Sequence, residues 1–156
     1  MEYNNPSEIV KDLSFGINAR EKIMHGVDKL TNAVKSTLGA SGKCVIYEDA
    51  MGRPVITKDG VTVAESVVLY DPVENIGATL IKEAAKNTVK EAGDGTTTAT
   101  VIAHSLLHLA NDKKYAQTVR PIKEGILSAL DKVNKYLDEK AIPVEGDMLE
   151  SVAQIS

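Results

Sequence analysis

The chain has 156 residues, 43% of them hydrophobic and 26% charged, which is the length of one ordinary domain and enough to bury a core without disulfides or metal. A net charge of -4, with no basic stripe in the sequence, argues against a nucleic-acid binder. Apolar runs such as Val67 to Leu69 and Val101 to Ala103 are far too short to cross a bilayer, and glycine and proline are too sparse for a disordered chain.

The start, Met1-Glu2-Tyr3-Asn4-Asn5-Pro6, has neither a basic stretch nor an apolar run of signal-peptide length, so the expected location is cytoplasmic, with no membrane partner. From about Asn18, Ile23, Val27, Leu30, Val34 and Leu38 recur at helical spacing and predict an amphipathic helix running into Gly39. Cys44 to Glu48 and Pro54 to Thr57 are β-prone runs around the turn-like Asp49 to Arg53, which predicts a small hairpin. Cys44, followed by Val45 and Ile46, is expected to be a buried, inert thiol. Lys58-Asp59-Gly60 predicts a tight turn, and Val61-Thr62-Val63 alternates as a short strand would.

Asp71-Pro72 has the form of an N-cap and first turn, and Ile76, Leu80 and Ala84 carry the helix to about Glu91. The next helix begins within Thr96 to Thr98, with Val101, Ile102, Ser105, Leu106 and Leu109 on its apolar side. His104 and His108 share a face at i, i+4 spacing, but no cysteine or carboxylate nearby in the sequence supplies a third metal ligand. After a polar break at Asn111 to Lys114, Pro121 opens a fourth helix with Ile122, Ile126, Ala129, Val133 and Leu137 in phase. Its charged end, Lys135, Asp138, Glu139 and Lys140, reads as a solvated face, while the apolar stripes of all four helices read as core. Ala141 to Ser156, with Pro143 and Gly146, reads as a link leading out of the helical body into the beginning of another element. The expected fold is mainly α, multihelical, with one small β-hairpin.

Gly93-Asp94-Gly95-Thr96-Thr97-Thr98-Ala99-Thr100 carries the strongest chemical signal, because it sets a carboxylate and three consecutive hydroxyls between glycines and a helix start. Glycines let successive N–H groups approach a ligand, the helix N-terminus adds partial positive charge, and Asp94 offers a hard oxygen to Mg²⁺. The same residues also suit an ordinary helix N-terminus, with Asp94 or a threonine satisfying free N–H groups. Two further turns, Thr37-Leu38-Gly39-Ala40 and Lys58-Asp59-Gly60, bring the inventory to glycines, hydroxyls, one lysine and two carboxylates, which is what a metal-assisted phosphoryl site needs. A Walker A loop is excluded: Gly39-Ala40-Ser41-Gly42-Lys43-Cys44 has too few residues between its glycines and a cysteine where Ser or Thr should meet Mg²⁺.

Four motifs in register resemble the group I chaperonins, the GroEL type: Val34-Lys35-Ser36-Thr37-Leu38-Gly39, Ile56 to Ala64, Glu74-Asn75-Ile76-Gly77-Ala78, and Ala92 to Thr100. The resemblance runs from about Phe15 to Ser156. It implies that residues 1–140 form the N-terminal half of an equatorial ATP-binding domain and 141–156 the start of an intermediate domain. By this resemblance Thr37, Leu38 and Gly39 lie along the phosphates of ATP, with Ala40 in the same loop where the family usually has proline. The resemblance also implies that Lys58 contacts the nucleotide and that Asp59 is the catalytic carboxylate near the attacking water. Asp94 holds Mg²⁺, Gly95, Thr96, Thr97 and Thr98 form the phosphate cradle, and Ile155 and Ser156 lie beside the nucleotide.

The partners so implied, for the full-length family, are unfolded protein clients, a cochaperonin and identical subunits in a homo-oligomeric ring. The family's second catalytic aspartate, its adenine and ribose contacts and its apical domain have no counterpart in this sequence. Little or no ATPase, weak Mg-ATP binding and exposed hydrophobic patches are therefore expected of the chain alone. Beside a partial ATP-driven chaperonin stand two alternatives: a non-catalytic module that docks onto complete chaperonin rings, and an unrelated Mg-nucleotide enzyme.

Overall fold

The computed structural model describes residues 12–39, 41–112, 119–146 and 148–155. In chain order these form α1 (Gly16–Lys35), β1 (Val45–Glu48), β2 (Pro54–Thr57), α2 (Gly60–Ser66), α3 (Pro72–Ala92), α4 (Thr96–Asn111), α5 (Val119–Lys140) and α6 (Met148–Ile155). The mainly helical expectation with one hairpin holds, with α2 and α6 added to the four anticipated helices.

α1 buries Ala19, Gly26, Val27, Leu30, Thr31 and Val34, a set recurring at helical spacing along one face. It ends a turn before the apolar periodicity does. Ser36 Oγ and Thr37 Oγ1 donate to the carbonyls of Ala33 and Val34, both at 2.7 Å, so two hydroxyls occupy acceptors at the close of the helix. Leu38, expected on the helical stripe, sits beyond it and is 46% exposed.

β1 and β2 pair antiparallel, with Val45 opposite Thr57 and Glu48 opposite Pro54. Asp49 builds the connecting turn, its Oδ1 accepting from the N–H groups of Met51 at 2.8 Å and Arg53 at 2.9 Å. Cys44, just before β1, is exposed rather than buried: in the strand that follows only Val45 packs against the core, while Ile46 is exposed.

Val61 to Val63 form helix, not strand. Asp59 is the N-cap of α2, accepting from the N–H groups of Val61 and Thr62, and Val63 and Ala64 are buried in the core. Capping and tertiary burial together override the β preference of the valines. α3 follows the same logic at Asp71, whose side chain accepts from Val73 and Glu74 N–H and is bridged at 2.6 Å by Lys22 of α1.

The core is the meeting of α1, α2 and α3: Val27, Leu30 and Val34 against Val63, Ala64, Ala78 and Ile81. α1 and α3 cross at glycines. A Cβ on Gly26 would lie 1.8 Å from the Glu74 carbonyl oxygen, and one on Gly77 would lie 2.0 Å from that of Ile23. This approach rotates α3 so that Gly77, Ala78, Ile81 and Ala85 face inward, leaving the expected stripe residues Ile76 and Leu80 54% and 55% exposed. α4 likewise buries Thr96 and Thr100 and exposes Ile102, Leu106 and Leu109. α5 buries no residue: Ile122 and Ile126 of its apolar stripe, read as core from the sequence, face Leu106, Leu109 and Ala110 of α4 across an apolar cavity, the stripe beyond them is a free face in this chain, and the charged end is solvated as expected.

Candidate functional site

Three chain segments, far apart in sequence, line one cavity of about 540 Å³. Thr37, Leu38 and Gly39 come from the exit of α1, Lys58 to Val61 from the junction of β2 and α2, and Asp94 to Thr98 from the entry of α4. The first wall is closed back on itself by Lys43 N–H donating to the Ser36 carbonyl at 2.7 Å and Gly42 N–H to that of Gly39 at 2.9 Å. All three walls meet at Gly60. A Cβ there would lie 2.3 Å from Thr97 Oγ1 and 3.5 Å from Thr37 Oγ1, so a side chain at this point would push the Thr97 hydroxyl aside.

Gly93 (φ 79°) and Gly95 (φ 93°) both take the left-handed conformation that glycine alone adopts without strain, and they swing the chain into α4. Gly95 occupies the N-cap position and supplies no side-chain acceptor, so the first turn of α4, Thr96 to Thr98, opens toward the cavity without a side-chain cap. Thr96 Oγ1 is buried and has no hydrogen-bond partner among the described residues, a hydroxyl left over at the base of the same wall. Asp94 is exposed and, among the described residues, accepts only from Gly95 N–H at 2.6 Å, so it does not cap the helix. Its remaining lone pairs suit a hard cation, and the uncapped N–H groups and threonine hydroxyls suit an anion.

Asp59 is differently employed. The Thr62 hydroxyl donates to its Oδ2 at 2.5 Å, Thr62 N–H to the same atom at 2.9 Å and Val61 N–H to Oδ1 at 3.3 Å. The hydroxyl bond, with the two N–H bonds behind it, outweighs burial and holds the carboxyl below its ordinary value. Asp59 is therefore an anion fixed in place at the cavity edge. Lys58 beside it forms no ion pair among the described residues, which leaves its ammonium available to an anionic ligand.

The structure thus brings together Thr37, Leu38, Gly39, Lys58, Asp59, Asp94, Gly95, Thr96, Thr97 and Thr98. Ala40 and Ser156 lie outside the described residues, as does the side chain of Ile155. Gly60, counted with its turn in the sequence, also lines the cavity, as does Val61, a role hidden by reading Val61 as the start of a strand. The His104 and His108 pair does have a carboxylate neighbour, Asp28 on α1, which lies 76 positions from His104 and so gives no local signal in the sequence.

Residues 30–156 match the TCP-1/cpn60 chaperonin family. Chaperonin GroEL of Acholeplasma laidlawii is 44% identical over 149 residues, covering 94% of this chain and 28% of that relative. Among solved structures, the chaperonin gp146 from bacteriophage EL (Pseudomonas aeruginosa), crystallised in the presence of ATP-BeFx, superposes with a TM-score of 0.71 at 35% identity, over 83% of this chain and 23% of that one. A second crystal form gives a TM-score of 0.56 at 37% identity over 60% of this chain and 17% of that one. The chain spans about a quarter of the length of these relatives. No described helix is long and apolar enough to cross a membrane.

Proposed function

We propose that this chain, which belongs to the TCP-1/cpn60 chaperonin family, binds the triphosphate of ATP with Mg²⁺ as the nucleotide-holding part of a chaperonin equatorial domain. The convergence of the three walls on a single cavity carries this reading, because it sets a lysine, hydroxyls and two carboxylates around one space of about 540 Å³. Asp94 would hold the Mg²⁺, and the first-turn N–H groups and hydroxyls of Thr96, Thr97 and Thr98 would take phosphate oxygens. Thr37, Leu38 and Gly39 would lie along the opposite side, with Lys58 adding a positive charge. Bound Mg²⁺ neutralises charge on the phosphates. Asp59, anionic and held by three hydrogen bonds that keep it from swinging, would position a water.

Within a full-length chaperonin this cavity would drive the conformational cycle of a homo-oligomeric ring acting on unfolded protein clients with a cochaperonin. For the chain alone we propose binding with little turnover, in residues 1–140 as the nucleotide-binding half and 141–156 as the start of an intermediate domain. A second reading, a non-catalytic module docking to complete chaperonin rings, draws support from the free apolar face of α5, where Leu127, Leu130, Val133 and Leu137 are each about half exposed. Calorimetric titration with Mg-ATP tests the first reading. Saturable, Mg-dependent binding that Asp94→Ala abolishes is the expected result, and equal binding by the variant refutes it.

A further inference from the structure

Away from the cavity, α4 presents His104 and His108 one turn apart, and α1 presents Asp28 to both. His104 Nε2 lies 2.9 Å and His108 Nε2 2.5 Å from the same atom, Asp28 Oδ1. The imidazole centroids are 4.4 Å apart, and the three ligand atoms all lie within 4.8 Å of one another. We propose that this two-histidine, one-carboxylate set binds a divalent transition-metal ion of the zinc class, at a site separate from the one the phosphate cavity offers to Mg²⁺.

Donor chemistry separates the two ions. Imidazole nitrogen suits zinc, copper and nickel, whereas Mg²⁺ takes oxygen ligands and keeps its waters. Two histidines and a carboxylate make a three-ligand zinc set that leaves a fourth position for water. The side chains of Asp28, His104 and His108 are 34%, 26% and 46% exposed, so that position has access to solvent. Geometry agrees: metal–ligand bonds of about 2.1 Å place tetrahedral donors roughly 3.4 Å apart. Each nitrogen therefore needs to move from Asp28 Oδ1 by less than about 1 Å, and the ligand atoms, which lie within 4.8 Å of one another, need to close by at most about 1.4 Å, both within the reach of side-chain torsions.

The ion would not be the nucleotide's own. His104 stands eight residues past Thr96 along α4, about 12 Å at the helical rise. What a metal here would do is join α1 to α4, the helix that ends at the first cavity wall and the helix that begins at the third. Without metal, the same contacts are hydrogen bonds from two imidazoles to one carboxylate, and that is the competing account.

The test is calorimetric titration of the tag-free chain in metal-free buffer with Zn²⁺ alone, followed by the visible absorption of its Co²⁺ adduct. One equivalent of Zn²⁺ and a four-coordinate Co²⁺ spectrum are expected. His104→Gln, His108→Gln and Asp28→Asn should each weaken binding by more than about 100-fold while retaining the wild-type circular dichroism. Cys44→Ala and His25→Gln, which alter the exposed thiol and the remaining histidine, should leave it unchanged. Absence of stoichiometric binding by the wild-type chain overturns the proposal. So does binding that survives loss of either histidine, or that disappears with Cys44 or His25. His108 is nearly half exposed, so its substitution tests the site even where Asp28→Asn disturbs the packing of α1.

Discussion

Replacing Gly26 by alanine should unlock the packing of α1 on α3. An added Cβ would lie 1.8 Å from the carbonyl oxygen of Glu74 and 2.7 Å from its carbonyl carbon, atoms of a helix backbone that cannot rotate aside. Restoring the closest separation that real Cβ atoms tolerate requires the two helices to part by about 1.2 Å, which loosens the contact of Val27 and Leu30 with Ala78 and Ile81. Alanine in a helix interior brings about 1 kcal/mol of propensity, against about 3 kcal/mol for overpacking an unyielding contact, so the net loss is about 2 kcal/mol. For a chain of this size that is a fall in Tm of roughly 4–8 °C. Gly125→Ala is the matched control, since nothing lies within 4 Å of a Cβ there and the residue sits within α5. It should stabilise by up to about 1 kcal/mol. Thermal and urea melts followed by circular dichroism at 222 nm decide the matter. A Gly26→Ala chain as stable as wild type, alongside a stabilised Gly125→Ala chain, would refute the close crossing of α1 and α3.

Gly60→Ala should behave differently, because its closest clash is with the hydroxyl of Thr97, the end of a side chain that can turn away. Stability should change by less than about 1 kcal/mol, while Mg-ATP affinity falls at least about tenfold by calorimetry as the junction of the walls is filled. Asp59→Asn should keep α2 intact, since asparagine caps as well as aspartate, whereas Asp59→Ala should cost about 1 kcal/mol in a urea melt. The acid limb of the stability curve offers a separate check. Asp59 has a depressed folded-state value, so its contribution is present above the ordinary value of 3.8 and is lost as pH falls below it through the folded value. The wild-type chain should therefore lose more stability in that window than Asp59→Asn, and parallel curves would contradict the assigned hydrogen bonds.

Local signals in the sequence were enough for α1, the hairpin and the capped start of α3. Val27, Leu30 and Val34 repeat at helical spacing, and Asp71-Pro72 marks a helix entry with its own chemistry. α2 escaped because Val61-Thr62-Val63 alternates like a strand, and only the bonds from Val61 and Thr62 to Asp59, with the burial of Val63 against α1, reveal the helix. The apolar repeat of α5 shows that the helix has a face suited to burial but not whether anything covers it, and none of its residues is buried. The turns of the candidate site were legible as glycine, hydroxyl and carboxylate clusters, because such residues announce themselves locally. Asp28 beside His104 and His108 was not, since only the packing of α1 on α4 brings them together.

Gly60 sets a rule for how this region can vary. A β-carbon there would meet hydroxyls from both other walls, so an insertion or deletion in any one of the three turns would shift a junction shared by the other two. Their lengths are geometrically coupled, and tolerance to change should lie instead in the exposed Asp49 to Arg53 turn, which touches none of them.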